Sequence, residues 1–216
     1  EKTHHAICGL SATWIHHLIE QIPCLASNWR QERFMKNPLG TTPDFNNPEE
    51  LLAVVDEHDR EVGAATRAEV HRCGLLHRAV HVLVFRPNGY LIIQQRSPQK
   101  DTYPLHWECV GGHLAPGERY DEAAAREVEE ELGIRVSAFL RIGKLPACHD
   151  TGHEFIEIYR ATSDSPLAPN PSEIVAVDEL PLSDLVEEVE NHRRCFSPVF
   201  VTTLKAIGLI APQTES

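Results

Sequence analysis

Gly112 to Ile134 reads GHLAPGERYDEAAAREVEEELGI, a glycine-bearing loop with one acid, Glu118, running into a helical segment that carries Glu127, Glu130 and Glu131. At about 100° per residue these three carboxylates fall within roughly a 100° arc, while Ala124, Val128 and Leu132 form the adjoining apolar arc that holds a helix on a core. The spacing predicts a helix with one packing face and one charged face. Glu129 points away from both and is expected in solvent. Gly133, free to take the left-handed conformation, is expected to stop the helix. Carboxylates this close on one helix repel, and a hard, oxygen-seeking divalent cation is their natural counter-charge, Mg2+ first and Mn2+ second.

Taken alone, E-x-x-E-E is the pattern of an ordinary acidic helix surface. The preceding loop changes that reading. The whole run fits G-x5-E-x7-R-E-U-x-E-E-x-G-U, with U aliphatic, at Gly112, Glu118, Arg126, Glu127, Val128, Glu130, Glu131, Gly133 and Ile134. It resembles the Nudix hydrolase family. The resemblance implies an α/β/α sandwich with a mixed β-sheet, and hydrolysis of a diphosphate linkage in a nucleoside diphosphate linked to X or a similar organic diphosphate. It implies catalytic roles for Arg126, Glu127, Glu130 and Glu131, with metal held by Glu127, Glu130, Glu131 and the backbone carbonyl of Gly112. Arg126 is expected to pair with a neighbouring carboxylate and orient it, and Glu118 to steady the loop or bind metal indirectly. The general base stays open between Glu127 and a downstream acid, Glu154 or Glu157.

The 216 residues have room for one domain of ordinary size and a tail. The expected division is an appendage and linker over 1–47, the Nudix-like domain over 48–210, and a tail over 211–216. With 42% apolar and 24% charged residues the chain should build a proper core. A net charge of −12 disfavours broad nucleic-acid binding, which relies on Lys and Arg. The expected partner is a small-molecule diphosphate, with neither nucleic acid nor membrane, and the resemblance adds a homodimer. Six cysteines are scattered without a C-x-x-C pair, which points to free thiols in a reducing compartment. No apolar run approaches about 18 residues, so a cytoplasmic protein is expected.

Residues 1–47 differ in texture, with His4-His5, His16-His17, Trp14 and Trp29 ahead of NPLGTTPDFNNP; Ala12 to Ile22 has the spacing of a short helix. Met35 is the sole methionine, and the expectation is that the natural product starts there. LLAVVD and EVGAATR read as two strands about a polar turn, followed by a helical turn over Ala68 to Cys73. RAVHVLVF and YLIIQQR flank Pro87-Asn88-Gly89, a hairpin signal. Strands are expected again in RVSAFLRIGKL, HEFIEIYRAT and EIVAVDEL, and helices over Leu182 to Asn191 and Pro198 to Ile207.

Features outside the acidic run are similar to the branch containing type 1 isopentenyl-diphosphate isomerase: Leu76-His77-Arg78-Ala79-Val80, Arg96 with Lys100, and Tyr103-Pro104-Leu105-His106-Trp107. Arg96 and Lys100 match diphosphate-binding positions of the isomerase, and two cations beside a metal cluster suit terminal phosphates. The isomerase needs a Cys immediately before Gly-His, where this chain has Gly111; Cys109 lies two residues upstream. A Glu-x-Glu metal pair is also incomplete, with Gly152-His153-Glu154 in its place. His77 and His113 match metal ligands in that branch, but the spacing of His71, Cys73, His77 and His81 fits no standard zinc pattern, so core or loop histidines are expected. The complete acidic signature favours hydrolysis. An isomerase and a non-catalytic nucleotide- or metabolite-binding module are the alternatives.

Overall fold

The computed structural model describes residues 47–211; the expectations for the first 46 residues, including the Ala12–Ile22 helix and the start at Met35, lie outside them. The chain opens with the antiparallel pair β1 (Leu51–Val55) and β2 (Glu61–Thr66). Their turn is tied by Asp56, whose Oδ1 accepts from the His58 and Arg60 amides, each at 2.9 Å. Helix α1 (Arg67–Cys73) follows, capped by Thr66 and Glu69 at its start and by left-handed Gly74 at its end.

Strand β3 (His77–Phe85) is the spine of the sheet. It turns at Pro87-Asn88-Gly89, with Gly89 at φ 88°, into β4 (Leu91–Arg96). Two short strands, β5 (Trp107–Glu108) and β6 (Val110–His113), precede helix α2 (Tyr120–Leu132). After it come β7 (Leu140–Leu145), β8 (Glu154–Thr162), β9 (Ile174–Leu180), α3 (Leu182–Glu190) and α4 (Pro198–Ala206). β3 pairs with β8 in parallel along its length and with β6 antiparallel, while β4 carries β5 and β9 antiparallel. The sheet is mixed.

Side chains alternate along β3 and sort the two layers that flank it. Val80, Val82 and Val84 meet Ala123, Ala124, Val128 and Leu132 of α2. Leu83 and Phe85 point the other way, onto Leu185 of α3 and Phe200 and Leu204 of α4. This is the expected α/β/α sandwich. Gly133 ends α2 at φ 66°, and Glu129 pairs in solvent with Arg135 at 2.7 Å.

The structure corrects two expectations. Residues 135–139 are not strand; β7 begins at Leu140. The segment before α2 is not all loop, because Val110-Gly-Gly-His joins β3 as β6 despite the poor strand propensity of glycine. Cys73, Cys109 and Cys148 are free thiols.

Candidate active site

Helix α2 does not present its three acids to solvent as one exposed face. Glu127 and Glu131 are 8% and 2% exposed, whereas the Glu130 side chain is 52% exposed. β6 makes the difference. A Cβ on Gly112 would lie 2.0 Å from Glu127 Oε1, so only glycine lets this strand pass so close to the carboxylate. Glu131 Oε2 accepts from the Gln94 amide at 2.7 Å and from the Gly111 backbone amide at 3.1 Å.

Arg126 is the hub. Its guanidinium donates to Glu118 at 2.8 and 3.0 Å, to Glu127 at 2.7 Å, to Glu130 at 3.0 Å, and to the His113 carbonyl at 2.9 Å. Glu118 in turn accepts from the Ala115 amide at 2.9 Å and so ties down the loop that enters α2. The expected pairing of Arg126 and the loop-steadying contact of Glu118 are both present as geometry.

Burial pushes the Glu127 carboxyl up to about 7, against the charge and hydrogen bond of Arg126. Burial also pushes Glu131 well up, with Glu127, Glu173 and Glu108 adding their negative fields. Buried carboxylates with too little positive charge around them, as Glu127 and Glu131 are, have the chemistry that a hard divalent cation takes, although the ligand atoms of Glu127, Glu130 and Glu131 do not gather within 4.8 Å as those of His71, His77 and His113 do.

The linkage has a definite sign. A carboxyl whose folded value is raised costs stability as pH climbs from its ordinary 4.5 through about 7. Without divalent cation, the melting temperature is expected to fall across that window. Added Mg2+ should recover roughly 5–10 °C at pH 8 and much less at pH 5.5. Thermal melts at the two pH values check this; equal Mg2+ shifts at both would contradict the assignment.

Arg96 and Lys100 reach the same region but are paired with acids. Arg96 Nη1 meets Glu108 at 2.5 Å, and Lys100 Nζ meets Glu173 at 3.0 Å. Neither Glu108, Glu173 nor Gln94 stands out in the sequence. They come from β5, the segment before β9, and β4, and only the register of these strands reveals them.

The histidines are more than isolated core or loop residues. Ring nitrogens of His71, His77 and His113 lie within 4.8 Å of one another. His77 donates through Nδ1 to the Leu75 carbonyl at 2.9 Å, which leaves Nε2 a buried acceptor without a hydrogen bond, 3.5 Å from Glu154. That is how a metal-ligating histidine is held. Arg67 donates to His113 Nδ1 at 3.0 Å, and His113 Nε2 meets Glu154 at 3.0 Å. Burial alone would raise Glu154, but the hydrogen bond from His113 outweighs it and holds the carboxyl low. Burial and neighbouring positive charge lower His71 to about 4. Imidazoles beside a carboxylate fit a borderline divalent cation.

The two downstream acids separate. Glu154 belongs to the histidine cluster, while Glu157 accepts from Tyr159 at 2.8 Å and pairs with Arg141 at 3.2 Å and Lys144 at 3.4 Å. At the isomerase thiol position, a Cβ on Gly111 would lie 2.8 Å from His81 Cδ2 and 2.8 Å from the Val80 carbonyl. Cys109 is 1% exposed in the core, and burial pushes its thiol well up.

A family model described as the NUDIX domain matches residues 75–200. The chain is 39% identical over 126 residues to an uncharacterized Nudix hydrolase of Pseudomonas aeruginosa, covering 58% of this chain and 75% of the relative. It is also 39% identical over 130 residues to the isopentenyl-diphosphate Delta-isomerase of Nocardia farcinica, covering 57% of this chain and 74% of that one. Among solved structures, a Deinococcus radiodurans protein superposes with a TM-score of 0.63 at 26% identity, over 73% of this chain and 99% of that one. With the acidic helix, its glycine loop and the mixed sheet all in place, the chain belongs to the NUDIX family and is an enzyme of its hydrolase type, acting on diphosphate bonds.

Proposed function

We propose that the protein is a metal-dependent pyrophosphohydrolase of a nucleoside diphosphate linked to X or a similar organic diphosphate. The observation that carries the reading is the buried pair of acids Glu127 and Glu131, with Arg126 bridging Glu127 to the exposed Glu130. Glu127, Glu130, Glu131 and the Gly112 carbonyl would hold Mg2+ or Mn2+, and His71, His77, His113 and Glu154 a second divalent cation. When bound, such cations neutralise phosphate oxygens and make water more acidic.

The chain's own groups then have distinct tasks. Arg126 keeps the Glu127 and Glu130 carboxylates aimed. Arg96 and Lys100 exchange Glu108 and Glu173 for the terminal phosphate oxygens. The partner set we propose is a small-molecule diphosphate, with neither nucleic acid nor membrane, and a homodimer. No helix among the described residues is long and apolar enough to cross a membrane.

The test is phosphate or pyrophosphate release across nucleoside triphosphates, dinucleotides, sugar nucleotides and isoprenoid diphosphates, with Mg2+ and with Mn2+. No release from any of them sinks the proposal. The histidine cluster and the isomerase relatives favour one second reading, isopentenyl-diphosphate isomerisation. Against it stand the crowded Gly111 and the buried Cys109. Cys109→Ser should keep hydrolysis within about 3-fold of wild type, since it alters no carboxylate and no phosphate cation. An isomerase using that thiol would lose activity by orders of magnitude. Following dimethylallyl diphosphate and free phosphate separately distinguishes the two.

A further inference from the structure

His81 stands where this chain departs from the isomerase pattern. It lies on β3 opposite Gly111 of β6, and its ring takes the space that any side chain at 111 would need. Its Nδ1 is 2.7 Å from Oγ1 of Thr203 on α4. That hydroxyl is fully buried and has no other hydrogen-bond partner among the described residues. Its hydrogen therefore points at Nδ1. With Nδ1 accepting, the neutral ring carries its proton on Nε2.

No described residue accepts a hydrogen bond from that Nε2–H. His81 is half-buried while its neighbours Val80 and Val82 are fully buried. Nε2 lies 3.5 Å from where a Cβ of residue 111 would sit. Arg96, Glu108, His113 and Glu154 all act on this ring electrostatically, which places it near the phosphate cation and the histidine cluster. A residue that merely filled space over Gly111 would not need a hydroxyl on a distant helix to fix its tautomer.

We propose that His81 is a specificity-determining residue: its Nε2–H donates a hydrogen bond to a phosphate oxygen of the bound diphosphate, and its ring denies the space an isomerase thiol would occupy. The role rests on the hydrolase reading above. Thr203 acts through His81 as a positioning residue.

The test has a spectroscopic arm and a kinetic arm, both on the full chain. Protein with isotope-labelled histidine is titrated with methylenediphosphonate, a diphosphate that cannot be hydrolysed, in Mg2+. The His81 signals, assigned by their loss in His81→Gln, are expected to show the Nε2–H tautomer and to shift at Nε2 on addition. With a compound hydrolysed in the panel above, His81→Phe should lower kcat/KM roughly 10- to 100-fold. His81→Gln, which keeps a donor at about the same reach, should recover most of it, and Thr203→Val should lose roughly 3- to 10-fold. If His81→Phe fails to fold, His81→Leu replaces it, and melts establish that each variant is folded. An Nδ1–H tautomer, no shift at saturating diphosphonate, no diphosphonate binding, or wild-type kinetics in the apolar variant each overturn the proposal. If no compound in the panel is hydrolysed, the hydrolase reading falls, and the titration alone decides His81.

Discussion

Glu131→Gln is expected to lower diphosphate turnover by roughly 100- to 1,000-fold without lowering the stability of the metal-free protein. Glu131 is almost fully buried, and the groups that touch it are neutral donors, the Gln94 amide and the Gly111 backbone amide. Its ionised form is held in place by hydrogen bonds but lacks a bonded cation. A glutamine oxygen in the Oε2 position accepts the same two bonds, so packing survives. What disappears is the negative charge that a divalent cation would use. Melts at pH 8 without divalent cation should show equal or higher stability than wild type, and the Mg2+-dependent shift should shrink. Wild-type turnover with an unchanged Mg2+ requirement would remove Glu131 from the metal site.

Val128→Asp should fail to give a stable fold. Val128 is fully buried between α2 and the sheet, packed with Val80, Val82, Val110 and Leu132. A carboxylate there has no hydrogen-bond donor among those side chains. The loss of apolar contact and the burial of an unpaired polar group together cost about 4–6 kcal/mol, a large part of the roughly 5–15 kcal/mol that holds a domain folded. One residue further along, Glu129 is exposed and only ion-paired with Arg135. Glu129→Gln should therefore change stability by less than about 1 kcal/mol. Comparing soluble yield and melting temperature for the two variants tests the helix orientation directly; a folded Val128→Asp would mean that α2 packs on another face.

The α2 pattern was legible because its information is local. Helical periodicity places Ala124, Val128 and Leu132 on the packing side, Gly133 marks the stop, and Asn88-Gly89 marks the β3–β4 turn. The pairing of Arg126 with a neighbouring carboxylate came from the family resemblance, and Glu118, Glu127 and Glu130 are the carboxylates it meets. The missing thiol at Gly111 can also be read directly from the chain.

Tertiary structure alone decided that two of the three acids are buried. An arc on a helical wheel says which residues share a side, but not that a glycine strand will close over that side. Cross-strand register is equally non-local. It brings Glu108 to Arg96, His81 over Gly111 beside Thr203, and His71, His77, His113 and Glu154 to one point. Their sequence spacing matches no metal motif because α1, β3, β6 and β8 each contribute one residue. Strand pairing, rather than any periodicity within one segment, assembles them.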